Sequence, residues 1–260
     1  MATATAATKT PTDAGEVKVA LVTGAAIRVG RSIALALHKE GYNVILHCNT
    51  SIEQANQLRD MMNSARSGSA HVLQADLSRN TASVCKKLIE SGVQVFGRLD
   101  VLVNSASSFV MAPLGSITED NWASSLDTNV KAPVFLAQAA VPYLRAVRGN
   151  IVNMTDMLGE HTSPSCIAHC ISKAALISAT KSLAQAAAPE VRVNAVSPGA
   201  VEWPEKMNEK RKEEYIAKTP LARVGTPQET ADAVVFLASE RASFITGQVL
   251  GLDGGRGLHF

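Results

Sequence analysis

Short valine-, isoleucine- and leucine-rich runs alternate along this chain with longer stretches whose apolar positions recur every three to four residues. V-K-V-A-L-V-T, residues 17–23, stops at Gly24 and has the continuous apolar character of a strand buried on both faces. Similar runs predict further strands over residues 43–47, 71–75, 99–104, 150–154, 191–196 and 249–253. Helical spacing of Ile33, Ala34 and Leu37 predicts a helix over 31–40. Ser51 is placed to cap a second helix that runs through Ala55, Leu58 and Met62. Further helices are expected over 84–91, over 122–144 and over the alanine-rich 172–187, which Pro189 ends. Strands alternating with helices imply right-handed crossovers, hence an α/β fold. The expectation is a single-domain, doubly wound parallel sheet with helices on both faces. Residues 203–223 form the one long stretch without a strand. They are charged, with a helix expected over 209–216, and are placed to act as a lid.

Composition narrows the function classes. The chain has 260 residues, 46% of them hydrophobic, enough for one large core. No apolar run reaches the ~18 residues that a membrane span needs. The formal net charge is +2, with both signs interspersed, so nothing argues for nucleic acid or an anionic membrane. Four cysteines at uneven spacing do not read as a disulfide framework; a reducing, cytoplasmic setting is expected. Residues 1–16 are small and polar, lack the apolar core of a secretory signal, and are expected to be a flexible tail before a domain at 17–260.

T-G-A-A-I-R-V-G, residues 23–30, lies between the first strand and a helix. Tight turns there let backbone N–H groups and the helix N-terminus meet a pyrophosphate. Gly24, Arg28, Val29 and Gly30 are therefore candidate cofactor-binding residues. The second strand ends in H-C-N-T-S, residues 47–51, without the carboxylate that would hold the ribose hydroxyls of NAD. Arg28, Asn49, Thr50 and Ser51 can all donate to a 2′-phosphate, so NADPH is the expected cofactor. A-D-L, with Asp76 and Leu77, ends the third strand. Asp76 either accepts from the adenine amino group or caps a helix.

With L-V-N-S-A, D-T-N-V, the lysine of H-C-I-S-K, S-P-G-A-V and V-L-G-L-D-G-G in this order, the chain resembles the short-chain dehydrogenase/reductase family over residues 17–256. A narrower resemblance, to the pteridine reductases, rests on T-G-A-A-I-R-V-G-R-S, N-S-A-S-S-F, the aspartate of N-M-T-D-M, and A-V-E-W-P-E. The resemblance implies a Rossmann-type sheet and NADPH-dependent hydride transfer to dihydropterins or folates. It adds Asn104, Ala106, Lys173, Pro198 and Gly199 to the cofactor site. Arg28, Ser107, Phe109, Asp156 and Trp203 would touch substrate, with Phe109 stacking on the pterin and the W-P-E segment closing over it. Asn129 would carry a water-linked proton path to Lys173. Asp156 replaces the usual serine; such a carboxyl, raised in pKa by burial, passes a proton to a pterin nitrogen.

His169 stands where the family has its catalytic tyrosine, with Lys173 one helical turn on. Three readings stay open. In the first, His169 is a working substitute acid and Asp156 does most of the proton delivery; in the second, the site is lapsed and leaves a cofactor-binding subunit of a larger assembly; in the third, Cys166, His169 and Cys170, with His161 near, hold a metal, though no second ligand pair of standard spacing accompanies them. A generic carbonyl reductase is disfavoured because Asp156 replaces the polarising serine. Ser105 is a milder departure, standing where the family usually has asparagine. The resemblance further implies a homotetramer paired through the helices at 122–144 and 172–187, with Arg256 able to reach a neighbour's substrate.

Overall fold

The alternation of apolar runs builds a seven-stranded, all-parallel sheet in the order β3-β2-β1-β4-β5-β6-β7. The computed structural model describes residues 16–203 and 207–258. The strands are β1 (Val19–Val22), β2 (Asn43–Cys48), β3 (Ala70–Gln74), β4 (Val101–Asn104), β5 (Asn150–Met154), β6 (Arg192–Pro198) and β7 (Val249–Leu252). Along β1 the side chains alternate between two cores. Ala20 and Val22 pack with Ile33, Leu37 and Val234 on one face; Val19 and Leu21 pack with Ile89, Leu136 and Leu144 on the other. Both faces are covered, which is why these strands read as unbroken apolar runs.

Helices α1 (Arg28–Lys39), α2 (Ile52–Ala65) and α8 (Pro227–Ala238) flank the sheet with α3 (Thr81–Phe96), α5 (Ala132–Val147) and α6 (Ile167–Ala187). The periodicity left residues 224–248 without an element. There α8 starts at a capping box between Thr226 and Glu229, with a proline in its first turn, and inserts Ala231, Val234 and Leu237 into the first core.

The single helix expected over 122–144 is divided. α4 (Glu119–Leu126) is followed by a π turn (Asp127–Lys131) and then by α5. Pro133 has no N–H to give the Asn129 carbonyl, so the α ladder lacks one hydrogen bond at the point where the helix widens. The wider turn leaves Asn129 buried.

Below the sheet, Glu16 makes an ion pair with Arg98, 2.6 Å, so this residue is tied to the domain rather than belonging to a free tail. Residues 1–15 lie outside the described residues. The strand order reverses between β1 and β4, which opens a crevice at their carboxyl ends. Among the described residues no helix is long and apolar enough to cross a membrane.

Candidate active site

The crevice holds a cavity of about 600 Å³ lined by Gly24, Arg28, Val29, Gly30, Asn49, Thr50, Ser51, Asp76, Leu77, Ala106 and Ser107, among others. Backbone packing shapes its floor. Thr23 Oγ1 accepts from the amides of Ser105 and Ala106, joining the loop after β1 to the loop after β4. A Cβ at Gly24 would come within 2.9 Å of Ala106 Cα, and one at Gly30 within 2.1 Å of the Gly24 carbonyl oxygen. Arg28 adopts φ +50, the left-handed conformation in which glycine is usual. Its Nε donates to Glu202 Oε2 at 2.9 Å, tying this loop to the segment after β6.

Three features fit the cavity to a dinucleotide. α1 begins at Ile27 with no side-chain cap and no acidic residue in its first turn, which leaves its leading amides for an anion. Among the described residues Asp76 is the only carboxylate on the lining, and it sits at the end of β3 rather than β2. Asp76 Oδ1 accepts from Ser78 N and Ser78 Oγ, which holds its pKa below the usual carboxylate value and keeps it an acceptor. It is not the cap of α3; Asn80 occupies that position.

His47 was not among the candidates, although it stands in the quoted H-C-N-T-S. Its buried ring links both walls of the cavity. Nδ1 faces Gly24 N at 3.2 Å and Nε2 faces the Ala75 carbonyl at 3.1 Å. Gly24 N can only donate and the Ala75 carbonyl can only accept, so the ring is neutral with its proton on Nε2. Burial pushes its pKa down to about 4.

A second group of residues gathers at the start of α6. His169 lies in its first turn and is 2% exposed. Asp156 caps the short turn Met157–Gly159, its Oδ1 accepting from Leu158 N, while Oδ2 lies 3.3 Å from His169 Nε2. The Asp156 side chain remains 30% exposed, so the expected burial of this carboxyl does not hold. Lys173 is buried and donates to the Met154 carbonyl at 2.9 Å; desolvation lowers its pKa to about 8 against the raising influence of Asp156. Phe109 is half exposed and meets the His169 ring edge-on, with centroids 4.7 Å apart.

Asn129 is fully engaged. Its Oδ1 accepts from Ser108 N and Ser107 Oγ, and its Nδ2 donates to the Ser108 carbonyl and to Ser172 Oγ. Its side chain braces a loop against α6. Asn104 is buried with its Nδ2 on Asn153 Oδ1, beneath the loops rather than on the cavity lining. Pro198 ends β6, and Gly199 packs against Tyr215 and Asp253, also away from that lining. Cys166 and Cys170 turn their sulfurs toward each other, 3.9 Å apart, while the nitrogens of His169 face Ser108 and Asp156. Among the described residues no group of three such side chains is placed to hold a metal ion.

The helix expected over 209–216 is α7 (Glu209–Ala217). Tyr215 on it meets Trp203 edge-on at 5.5 Å, accepts from Ala200 N, and donates to Met157 Sδ. Its place as the one tyrosine in 203–223 was the available signal for this residue. The guanidinium of Arg256 lies 4.7 Å from the Tyr215 ring of its own chain. Pro204 and Glu205, counted on to close over a substrate, lie outside the described residues.

Residues 24–256 match a family model described as enoyl-(acyl carrier protein) reductase. The chain is 37% identical to a 3-oxoacyl-(acyl-carrier-protein) reductase of Thermotoga maritima, over 92% of this chain and 98% of that protein. It is also 37% identical to pteridine reductase 1 of Leishmania tarentolae, over 92% of this chain and 96% of that one. A Staphylococcus aureus 3-oxoacyl-(acyl-carrier-protein) reductase gives 37% over 92% and 97%.

Proposed function

The chain belongs to the short-chain dehydrogenase/reductase family of oxidoreductases, and on that premise we propose that it is an NADPH-dependent reductase of the pteridine reductase type, acting on dihydropterins or folates. The observation that carries this reading is the Asp156 carboxyl, with Oδ2 3.3 Å from His169 Nε2 and the half-exposed Phe109 ring beside the histidine. A pterin C=N bond needs a hydride at carbon and a proton at nitrogen. The bound dinucleotide supplies the hydride. Asp156 and His169 are the groups that hold the proton, and the Phe109 face orients a flat heterocycle by stacking. NADPH rather than NADH is favoured by the missing carboxylate at the end of β2 and by Arg28, Asn49, Thr50 and Ser51 on the lining.

The likeness to 3-oxoacyl reductases, equal in identity, makes ketone reduction the rival chemistry. Both chemistries would draw on the proton that Asp156 and His169 hold, and the Phe109 ring beside them favours a flat heterocycle over an acyl chain. A second reading, a nucleotide-binding subunit without turnover, draws on the near-complete burial of His169. Assembly as a homotetramer belongs to the proposal. α6 presents Ala174, Ser178 and Ser182 on an exposed stripe where a second copy's helix would pack closely.

The test is NADPH oxidation with dihydrobiopterin and, separately, with an acetoacetyl thioester, by the wild type and Asp156→Asn. Pterin turnover that falls by about 10²–10⁴ in the variant supports the reading. Turnover of the thioester alone refutes it. No turnover with either, while NADPH binds in a direct titration, leaves the silent subunit.

A further inference from the structure

The two ring nitrogens of His169 both face acceptors. Nδ1 lies 3.3 Å from the Ser108 backbone carbonyl, and Nε2 lies 3.3 Å from Asp156 Oδ2. A carbonyl oxygen never donates, so the Nδ1 contact is a hydrogen bond only if Nδ1 carries the proton. A neutral ring then offers a lone pair at Nε2 to a carboxylate oxygen, and that contact repels unless a second proton lies between them. The second proton makes the pair either an imidazolium and a carboxylate, or an imidazole and a carboxylic acid.

The Ser108 carbonyl is itself held in place. Asn129 donates to it through Nδ2 at 2.9 Å and accepts from Ser108 N through Oδ1 at 2.8 Å, gripping both backbone groups of one residue. The same Nδ2 donates to Ser172 Oγ, which in turn donates to the carbonyl of His169. The carbonyl that meets the ring and the backbone that carries the ring are thus fixed by one buried amide. The π turn brings that amide to both.

We propose that Asn129 is a positioning residue that commits His169 to its Nδ1–H form through the Ser108 carbonyl, so that a single further proton is held between His169 Nε2 and Asp156 Oδ2. This deepens the proton-delivery role and rests on that reading of the site. When hydride reaches a substrate carbon, the shared proton moves to the substrate nitrogen. The ring is left neutral with Nδ1 still protonated and Asp156 is left as a carboxylate, to be reloaded with one proton from water. The other ionisable groups packed around the pair are Lys173 and the thiols of Cys166 and Cys170 on its own helix, and Tyr215 from α7. Lys173 donates to the Met154 carbonyl and Tyr215 to Met157 Sδ, while the His169 ring nitrogens face the Ser108 carbonyl and Asp156.

The experiment is long-range ¹⁵N–¹H correlation at pH 7 on the full chain labelled with ¹⁵N-histidine. The signal of His169 is picked out of the six histidines with a His169→Gln variant. No turnover is required, so failure here is separate from failure of the pterin reading. The expected result is a protonated Nδ1, with Nε2 in the wild type protonated or hydrogen-bonded to an acid. In Asp156→Asn, which keeps the shape but can donate an amide N–H, Nε2 moves to the lone-pair end of its range while Nδ1 stays protonated. In Asn129→Ala, checked for folding by circular dichroism, the Nε2–H form appears alongside Nδ1–H. A wild-type ring protonated only at Nε2 overturns the proposal. So does an Asp156→Asn spectrum identical to wild type, which remains decisive even if Asn129→Ala does not fold.

Discussion

Lowering the pH from 7 to 4.5 should strip this protein of stability through one side chain, His47. Its neutral ring accepts from Gly24 N and donates to the Ala75 carbonyl, and burial holds its pKa at about 4 against 6.5 for a free histidine. The folded-state value is depressed, so the unfolded chain binds the extra proton first. The contribution is fully present above pH 6.5 and is lost as pH falls toward 4. At about 1.4 kcal/mol per unit of pKa difference, most of the window is crossed by pH 4.5, and the loss amounts to about 2 to 3 kcal/mol. Urea denaturation at pH 7 and pH 4.5 measures it. His38 is also held below its ordinary value, by burial and by Arg66, and acts in the same direction. The comparison is therefore with His47→Asn, which can still accept from Gly24 N but has nothing to titrate. The wild type should lose about 2 to 3 kcal/mol more than the variant over this interval. Nucleotide affinity follows the folded-state value instead, so it should hold down to about pH 5 and fail near pH 4, when a protonated Nδ1 would face the Gly24 N–H. Equal pH dependence in the two proteins would refute the assignment of the neutral, doubly bonded ring.

Gly30→Ala should abolish nucleotide binding while the protein stays folded, because the added Cβ meets the Gly24 carbonyl at 2.1 Å and can be relieved only by moving the loop; fluorescence titration with NADPH reads it. Arg98→Ala should cost about 3 to 5 kcal/mol in urea denaturation at pH 7, since it strands the buried Asp100 carboxylate that Arg98 holds through two hydrogen bonds. Lys173 has a depressed pKa of about 8, so its buried ammonium opposes folding below that pH. Relative to Lys173→Met, the wild type should gain stability as pH rises from about 8 toward 10.5, and parallel thermal-melting curves for the two would contradict the burial argument.

The strands and their order in the chain were legible in the sequence, as were the loop residues Gly24, Arg28 and Gly30 that line the cavity, while His47 on the same lining was not. A strand buried on both faces writes itself as a local apolar run, and a phosphate loop must follow the first strand within a few residues. Helix α8 is written in the sequence as T-P-Q-E, a capping box with proline in the first turn, and in the apolar positions behind it. The break between α4 and α5 was signalled only by Pro133, whose effect depends on what the π turn buries. Glu202 and Tyr215 could be seen as residues but not as partners, since Arg28 and Met157 lie far from them in the chain. The chain's order shows that Asp156 and His169 are thirteen residues apart. That they meet is decided by the sheet, which sets the end of β5 beside the start of α6. That His169 is held as an Nδ1–H donor is decided farther still, by a carbonyl 61 residues away that Asn129 fixes in place. Hydrogen-bond partners of a buried ring are set by which backbone groups the fold leaves pointing at it, and residue spacing carries no record of that.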